Sequence, residues 1–316
     1  MTTTIFIDGA AGTTGLEIRE RLADRKDLSL VALDEAQRKD SSARAAALNE
    51  ADVVILCLPD DAAKEAVALI ENPDVRVIDA STAHRTEEDW TYGFAEMEKG
   101  HRKAIEKSKR VSNPGCYSQS FVALMRPLVR AGLVGAESAI TCHAVSGYSG
   151  GGRAMIAEFE NTSSDKFWRV VFRTYGLNLE HKHVEEMRVH SGLTYRPLFA
   201  PSVGRFYRGM LVEVPLQLWS FPGSVNPSMV YETYMDAYRG EALVEIASPE
   251  EAESQQTLDA EALKNTNRMK IFVFGNEARN QARVVAVLDN LGKGAAGSMV
   301  QNLNIMTGAK ETTGLV

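Results

Sequence analysis

A cysteine stands at residue 116, directly after a turn-forming Asn-Pro-Gly in the stretch SNPGCYS (112–118). If residues 116–129 form a helix, the thiol lies at the helix N-terminus, where the positive end of the helix dipole stabilises the reactive thiolate. An isolated cysteine is more often a small buried residue, and Cys57 and Cys142 fit that interpretation because they lie in apolar strand patterns. The turn-to-helix setting makes Cys116 the candidate nucleophile.

A thiol nucleophile needs a base, and three of the six histidines lie in one stretch, EHKHVEEMRVH (180–190). If that stretch is helical, His181 with Glu185 and His183 with Glu186 are each within one turn, so a carboxylate can hold an imidazole in one tautomer. A zinc pair is disfavoured by the i, i+2 spacing and by the lack of a nearby cysteine, so no metal site is predicted. The other alternative is a polar helix face with incidental histidines.

A glycine-rich turn, GAAGTTG (9–15), follows the first apolar run and leads into a helical pattern. Gly9, Gly12 and Gly15 have the spacing G-x-x-G-x-x-G, one residue wider than the common dinucleotide fingerprint. Such a turn lets backbone amides and a helix N-terminus approach a pyrophosphate. The alternative is a tight strand-to-helix connection without a ligand.

The residues after the second apolar run bear on which dinucleotide is bound. Asp34 stands where a carboxylate commonly binds the ribose hydroxyls of NAD, whereas Arg38 and Lys39 follow closely and can neutralise a 2′-phosphate. A solvated surface cluster is the alternative for the two cations. The residues alone leave NAD and NADP open.

Two further stretches have the composition of ligand-binding segments. SGYSGGGR (146–153) is too rich in glycine for a strand interior and ends in Arg153. GRFYRG (204–209) places Arg205 and Arg208 between strand-like runs, where a guanidinium can bind a carboxylate or a phosphate. A surface strand with exposed arginines is the alternative for the second stretch.

The elements that must position these residues change in character after Cys116. In the first third, apolar runs alternate with helical patterns such as LEIRERLADR (16–25), which predicts a doubly wound parallel sheet. Later runs are longer and closer together, which predicts a mixed or antiparallel sheet with a helix over 225–240, and the polar stretch 247–268 is predicted to be a surface excursion. The predicted strands are 4–8, 29–33, 52–58, 75–80, 138–145, 194–200, 209–218, 269–275 and 282–289.

Length and composition set limits on the class of protein. The 316 residues exceed one average domain, and an apolar fraction of 44% supplies material for a sizeable core. The balance of 35 basic and 42 acidic residues argues against non-specific binding to nucleic acid or to an anionic membrane. Three widely spaced cysteines, no signal-like lead and no apolar run of membrane-spanning length together predict a cytoplasmic protein.

Taken together, the motifs resemble the N-acetyl-gamma-glutamyl-phosphate reductase family, in its compact subtype, within the aspartate-semialdehyde dehydrogenase-like group. The cysteine motif and the last segment are specific for the group in combination, whereas the glycine turn alone is not. The histidine segment departs from the family's H-R-H-T-P-E-I form, since Val184 and Glu185 replace its Thr-Pro pair. The matching pieces are GAAGTTG, VIDASTAHR (77–85), YGFAEM (92–97), SNPGCYS, SGYSGGGR, HKHVEE (181–186) and DNLGKGAAGSMVQNLNIM (289–306).

The resemblance implies NADPH-dependent reduction of an acyl phosphate, a step of arginine biosynthesis. Cys116 would attack the γ-acyl phosphate, phosphate would leave, and hydride would reduce the resulting thioester to a semialdehyde. His181 or His183, oriented by Glu186 and Tyr175, would manage the proton. The implied cofactor-binding residues are Gly9, Gly12, Thr13, Thr14, Gly15, Arg38, Lys39, Ser81 and Asn290, and the implied substrate-binding residues are Asn113, Ser146, Gly147, Arg153, Arg205 and Arg208.

The resemblance also implies a division into two domains. Residues 1–115, completed by a C-terminal helix (291–316) that begins near Lys293, would bind NADP, and 116–290 would carry catalysis and assembly into a homodimer or homotetramer. The rival functions are a related phosphorylating dehydrogenase acting on aspartyl or aminoadipyl phosphate, a non-phosphorylating aldehyde dehydrogenase, and a dinucleotide-binding sensor without catalysis.

Overall fold

The computed structural model describes residues 2–34 and 36–315, with the backbone but not the side chain of Lys39. The chain forms two compact units. The first contains Met1–Ala95, Gly100–Pro114 and Ala295–Val316, and the second contains Glu96–Lys99 and Gly115–Gly294. Compared with the predicted division, residues 96–99, 115 and 291–294 fall in the second unit.

The first unit is built on a six-stranded, wholly parallel sheet. Its strands are β1 Thr3–Asp8, β2 Leu28–Val31, β3 Val53–Leu56, β4 Arg76–Asp79, β5 Thr91–Tyr92 and β6 Arg110–Ser112, in the spatial order β2-β1-β3-β4-β6-β5. Its helices are α1 Thr13–Leu22, α2 Ser41–Glu50, α3 Asp60–Ala68, α4 His101–Lys107 and α10 Gly297–Thr307.

Burial explains why the central strands of this sheet read as unbroken apolar runs. Every residue of β3 is buried, because parallel strands are covered by helices on both faces. The strand order reverses direction at β1, which has β2 on one side and β3 on the other. The loop after β1 therefore lies at the carboxyl edge of the sheet beside this switch point, where doubly wound folds bind their ligands.

The second unit is built on a seven-stranded mixed sheet, so the α/β fold predicted from the sequence is confirmed. The spatial order is β11-β12-β13-β10-β7-β9-β8. The strands are β7 Thr141–Gly147, β8 Phe172–Thr174, β9 Leu198–Gly204, β10 Met210–Gln217, β11 Val244–Ile246, β12 Met269–Asn276 and β13 Gln281–Leu288, and the helices are α5 Cys116–Arg130, α6 Gly152–Glu160, α7 Val184–Ser191, α8 Pro227–Ala237 and α9 Pro249–Ser254.

Helix α5 is the central helix of the second unit and begins at Cys116 itself. Most of its 15 residues are buried, and it packs against α7, α8 and the sheet strands β10 and β13. Such packing, more than helix propensity, stabilises a helix of this length. The first turn of α5 is therefore held in place by the core behind it.

Three sequence predictions differ from the structure. The strand predicted over 194–200 begins only at Leu198, and the C-terminal helix predicted near Lys293 begins at Gly297 after a π-helical turn over Gly292–Ala296. The excursion over 247–268 is less exposed than predicted, because Ala247, Ala252 and two leucines pack with Phe272 and Val285 of the sheet. Within residues 2–34 and 36–315, no helix is long and apolar enough to span a membrane.

Candidate active site

The predicted nucleophile lies where the sequence places it, at the first position of α5. Gly115 is the N-cap, and the Cys116 side chain is partly exposed while the rest of the first turn is buried. The first amides of a helix have no carbonyl partner within the helix and carry its partial positive charge. The start of α5 therefore offers N–H donors beside the thiol for an oxyanion.

Glu186 of α7 fixes the entry to this helix. Its Oε1 accepts a hydrogen bond from the Gly115 amide at 2.8 Å, and its side chain is only 2% exposed. The hydroxyl of Ser118 donates to the His183 carbonyl, a second link between α5 and the start of α7. Glu186 thus positions the backbone that carries the nucleophile; its predicted action on a histidine stays a prediction.

The two candidate histidines lie before α7 and not within it. Because α7 begins at Val184, the predicted one-turn pairing of His181 with Glu185 does not form, and that prediction is wrong. Glu185 binds Arg188 instead, at 2.5 Å. The ring centroids of His181 and His183 are 4.8 Å apart, so both histidines belong to one cluster.

The environments of the two histidines differ. The Nδ1 of His181 accepts a hydrogen bond from the His183 amide at 3.1 Å, which assigns the proton of the neutral ring to Nε2. Burial, followed by the charge of Lys182, lowers the pKa of His181 to about 4. His183 is the N-cap of α7 and is 6% exposed. His181 is thus a neutral ring with a donor at Nε2 at physiological pH.

A pair of tyrosines borders the same cluster. Tyr175 Oη donates to Tyr117 Oη at 3.0 Å, and burial raises the pKa of Tyr175 to about 12. Burial, followed by nearby Tyr175 and Cys116, raises the pKa of Tyr117 well above its ordinary range. Sequence reasoning identified Tyr175 but missed Tyr117, whose signal was its position directly after Cys116.

The two arginines of the 204–209 turn are already engaged with protein atoms. The Arg205 guanidinium lies over the Phe159 ring at 5.1 Å from its centroid and donates from Nη1 to the Phe159 carbonyl at 3.0 Å. Arg208 Nε lies 2.9 Å from Oδ2 of Asp289, a carboxylate that is wholly buried. Part of the charge of Arg208 is therefore balanced within the protein.

The glycine-rich segment forms the end of β7, a single 3₁₀ turn and the start of α6. Gly147 leaves no room for a side chain, because a Cβ there would lie 2.5 Å from the Tyr207 carbonyl oxygen. Ser146 is 3% exposed, whereas Arg153 is exposed in the first turn of α6. Arg153 is the predicted substrate arginine that is most accessible.

Asn290 was predicted to bind the cofactor, yet its amide group is used inside the second unit. Oδ1 accepts from the Gly209 amide at 2.8 Å, and Nδ2 donates to Ser149 Oγ at 2.9 Å. These bonds tie the 204–209 turn to the glycine-rich segment. They do not support the predicted cofactor contact.

In the first unit, the turn at 9–15 has the close backbone approach that the glycines predict. Gly9 has a φ of 86°, and a Cβ on it would lie 2.3 Å from the Cys57 carbonyl oxygen. A Cβ on Gly15 would lie 2.5 Å from the Gly9 carbonyl oxygen, while Gly12 is the N-cap of α1. Thr13 and Thr14 then form the half-buried first positions of α1. The helix N-terminus is thereby open to an anion.

A cavity of about 220 Å³ lies beside this turn, between the ends of β1 and β2. Arg19 of α1 and Arg38 both line it. Asp34 is turned to its own loop, where Oδ1 accepts from the Gln37 amide at 2.8 Å. Asp8 also lines the cavity and is paired with Arg44 at 2.6 Å. The side chain of Lys39 lies outside the described residues.

Sequence reasoning missed Arg19, because an arginine on an exposed helix looks like ordinary surface. The sequence did offer one sign: Arg19 lies four residues, or one helical turn, after Gly15 on α1, which places it near the glycine-rich turn. The cavity is smaller than the roughly 300–1,000 Å³ typical of pockets for a whole drug-sized ligand. It therefore fits one end of a dinucleotide, and its two guanidinium groups fit a phosphate.

Two other predicted residues are buried in the first unit. The Ser81 hydroxyl donates a hydrogen bond to Asp79 Oδ2 at 2.5 Å. Asn113 Nδ2 donates to the Ala295 carbonyl, and Asn113 Oδ1 accepts from Asn302 Nδ2. Their amides and hydroxyls stabilise the loops after β4 and β6. Across the described residues, no group of three or more histidine, cysteine or carboxylate side chains is arranged to hold a metal ion.

Family models match both units of the chain. Residues 30–107 match the semialdehyde dehydrogenase NAD binding domain, and residues 116–290 match the semialdehyde dehydrogenase dimerisation domain. Curated relatives extend the match to nearly the whole chain. A Brucella anthropi protein named N-acetyl-gamma-glutamyl-phosphate reductase is 50% identical over 305 residues, covering 96% of this chain and 98% of the relative. A Brucella ovis protein of the same name is 49% identical over the same shares.

Solved structures of aspartate semialdehyde dehydrogenases have the same fold. The Vibrio cholerae enzyme II, complexed with ASA, has a TM-score of 0.73 at 14% identity and covers 97% of this chain and 98% of its own. The Candida albicans enzyme with NADP has a TM-score of 0.67 at 13% identity, with 97% and 99% covered.

Proposed function

Because this chain belongs to the N-acetyl-gamma-glutamyl-phosphate reductase family of semialdehyde dehydrogenases, we propose that it reduces N-acetyl-γ-glutamyl phosphate with NADPH. The products are N-acetylglutamate 5-semialdehyde, phosphate and NADP, and the step belongs to arginine biosynthesis. The observation that carries the proposal is the partly exposed Cys116 at the N-terminus of α5. Its neighbour in the chain, Tyr117, packs edge-on against the neutral ring of His181, with 5.9 Å between the ring centroids.

The first step is acyl transfer to the cysteine. Cys116 Sγ, in the thiolate form that the helix N-terminus stabilises, forms a bond to the γ-carbonyl carbon, the carbon–oxygen bond to phosphate breaks, and phosphate leaves with the electron pair. The amides at the start of α5 stabilise the oxyanion that develops on the carbonyl oxygen. The resulting thioester is a better hydride acceptor than a carboxylate.

His181 is the histidine that we assign to this chemistry. Its Nδ1 is occupied by the His183 amide, so its Nε2–H is the group that can donate to a developing negative charge. The pKa of His181, about 4, keeps the ring neutral at physiological pH. A neutral imidazole can still donate a hydrogen bond from Nε2–H to the substrate. His183, which is 6% exposed, holds this geometry through its backbone amide.

The first unit supplies the cofactor site. NADPH, when bound, supplies the hydride that reduces the thioester to the semialdehyde. The tight turn at Gly9 and Gly15 lets the chain receive a pyrophosphate at the start of α1. Arg19 and Arg38 provide positive charge for a 2′-phosphate, while Asp34 is held by its own loop, which favours NADP over NAD.

Replacing Arg19 by alanine is expected to raise the Kd of NADP by about 10- to 100-fold, as for one lost charge-assisted hydrogen bond. The Kd of NAD should stay within about twofold, because NAD has no 2′-phosphate. Titration calorimetry with each dinucleotide measures both constants directly. Arg21→Ala is the matched control, since Arg21 lies on the same helix but is paired with Glu17 at 2.9 Å. Equal weakening of NAD and NADP would contradict the assignment.

The second unit supplies the cations for the substrate. Arg153 is exposed and can meet a carboxylate or a phosphate, with Ser146 and Gly147 forming the adjacent strand end. Arg205 and Arg208 contribute positive potential while bound to protein groups. The Asn113 side chain bonds the Ala295 carbonyl and Asn302, so we assign it an indirect role: it stabilises the loop after β6 and does not contact the substrate itself.

A substrate panel in the reverse direction tests the proposal. The enzyme is mixed with NADP, phosphate and N-acetylglutamate semialdehyde, aspartate semialdehyde or aminoadipate semialdehyde, and NADPH absorbance is followed. We expect turnover of the N-acetylglutamyl compound that requires phosphate. Turnover without phosphate or arsenate would indicate a non-phosphorylating dehydrogenase, and binding of NADP without any turnover would indicate a sensor.

Assembly into a homodimer or homotetramer is part of the proposal. It is supported by the match of residues 116–290 to a dimerisation domain and by apolar side chains that the second unit leaves exposed around β8 and β9. These side chains are Val171, Phe172, Leu177, Leu179, Tyr195 and Leu198, each more than half exposed. The cytoplasmic location stays a prediction from the composition.

A further inference from the structure

The second unit contains a buried ion pair that the proposed chemistry does not use. Lys293 Nζ lies 2.8 and 2.9 Å from the two carboxylate oxygens of Glu96, and the residues are 1% and 3% exposed. Desolvating two charges is costly, and replacing such a pair by apolar residues of similar size is often neutral or stabilising. The pair is thus better explained by what it positions than by its contribution to stability.

Lys293 lies in the π-helical turn Gly292–Ala296, a rare element that occurs mostly at functional sites. The Gly294 amide donates to the Asp289 carbonyl at 2.9 Å, which closes this wide turn. Asp289 fixes the start of the turn, because its Oδ1 accepts from the Leu291 and Gly292 amides at 2.8 and 3.1 Å. Glu96 fixes the next residue, Lys293, so the first two residues of the turn are both anchored.

The residue that follows these two anchored positions, Gly294, lies against the nucleophile. A Cβ on Gly294 would lie 2.9 Å from Cys116 Cβ and 3.6 Å from Cys116 Cα. The turn is also closely packed at Gly292, where a Cβ would lie 2.1 Å from the Thr266 carbonyl oxygen. The backbone of the turn at Gly294 therefore packs closely against the Cys116 side chain.

We propose that the Lys293–Glu96 ion pair is a positioning device for the nucleophile, holding the π-helical turn against Cys116 so that the thiol keeps the orientation required for attack. The inference rests on the proposed role of Cys116. Loss of the pair lets the turn move away from Cys116, and a misplacement of about 1 Å in a reacting group can lower a rate by about 100-fold.

Lys293→Met tests this role. We expect kcat to fall by about 10- to 100-fold, while KM and the Kd of NADP stay within about threefold because no substrate or cofactor contact is removed. Alkylation of Cys116 by iodoacetamide, measured on the folded protein by mass spectrometry of the Cys116 peptide, is expected to become faster. A small reagent reacts with a thiol in any orientation, whereas turnover requires one.

Arg126→Met is the matched control. Arg126 pairs with Glu98 at 2.5 Å, so it connects the same 96–99 segment to α5 but does not touch Gly294. It is expected to lower the Tm without changing kcat or the alkylation rate. A folded Lys293→Met protein with wild-type kcat and alkylation rate would overturn the inference.

If Lys293→Met does not fold, the double variant Lys293→Met/Glu96→Leu takes its place, because it removes the unpaired buried carboxylate. It is expected to have a Tm near that of the wild type and the same low kcat and fast alkylation; wild-type values of both would overturn the inference. Failure of the proposed function is distinguishable, since the wild type would then lack phosphate-dependent turnover altogether.

Discussion

Cys116→Ser is expected to lower kcat by at least about 10⁴-fold, as removal of a covalent nucleophile does in other enzymes. A serine hydroxyl is a much weaker nucleophile than a thiolate at neutral pH, and the hydroxyl-bearing residues that follow it in the first turn, Tyr117 and Ser118, are buried. The Kd of NADP should be unchanged within about twofold, because the cofactor site belongs to the first unit. Steady-state kinetics and calorimetric titration measure the two quantities.

Cys142→Ala is the control for general effects of losing a thiol. Cys142 is fully buried, and burial raises the pKa of its thiol far above the ordinary value, so it is unreactive. We expect a lower Tm from the small cavity and an unchanged kcat. Appreciable turnover by Cys116→Ser would refute the covalent scheme.

His181→Ala is expected to lower kcat by about 10²- to 10³-fold, the contribution typical of one positioned proton donor. His183→Ala is the comparison, because His183 is more deeply buried and acts through its backbone amide. It should lower the Tm more than His181→Ala does and reduce kcat by less than about tenfold. The reverse order of the two kcat values would assign the donor to His183.

The pH dependence of stability offers a second readout for His181. Its pKa is about 4 in the folded protein against an ordinary 6.5, so between these values the unfolded chain binds the proton first. Stability contributed by the neutral ring is therefore present above pH 6.5 and is lost as the pH falls toward 4. Tm measured across this range should fall more steeply for the wild type than for His181→Ala.

Local patterns predicted the parts of the site that depend on neighbouring residues. The Asn-Pro-Gly turn before an apolar run placed Cys116 at the first position of α5, where the structure has it. The spacing of Gly9, Gly12 and Gly15 predicted the tight turn before α1. Both features are decided by backbone geometry within about ten residues, so they can be inferred from the sequence alone.

Long-range pairings were beyond such patterns. Helix α7 begins at Val184 rather than at the histidines, and it packs against α5, a segment far away in the chain. The partners of Arg208 and Lys293 are Asp289 and Glu96, far away in the chain, and a sequence contains no direct sign of which charges will meet. An arginine that binds a buried carboxylate and one that awaits a ligand look the same until the fold is known.

The mass of the intact enzyme, measured after mixing with N-acetyl-γ-glutamyl phosphate in the absence of NADPH, tests the thioester scheme. The thioester scheme predicts one added N-acetylglutamyl group per chain, located on the Cys116 peptide, absent from Cys116→Ser and removed when NADPH is added. An enzyme that turns over the same substrate with NADPH but never carries this group, or carries it on another residue, would contradict a thioester on Cys116.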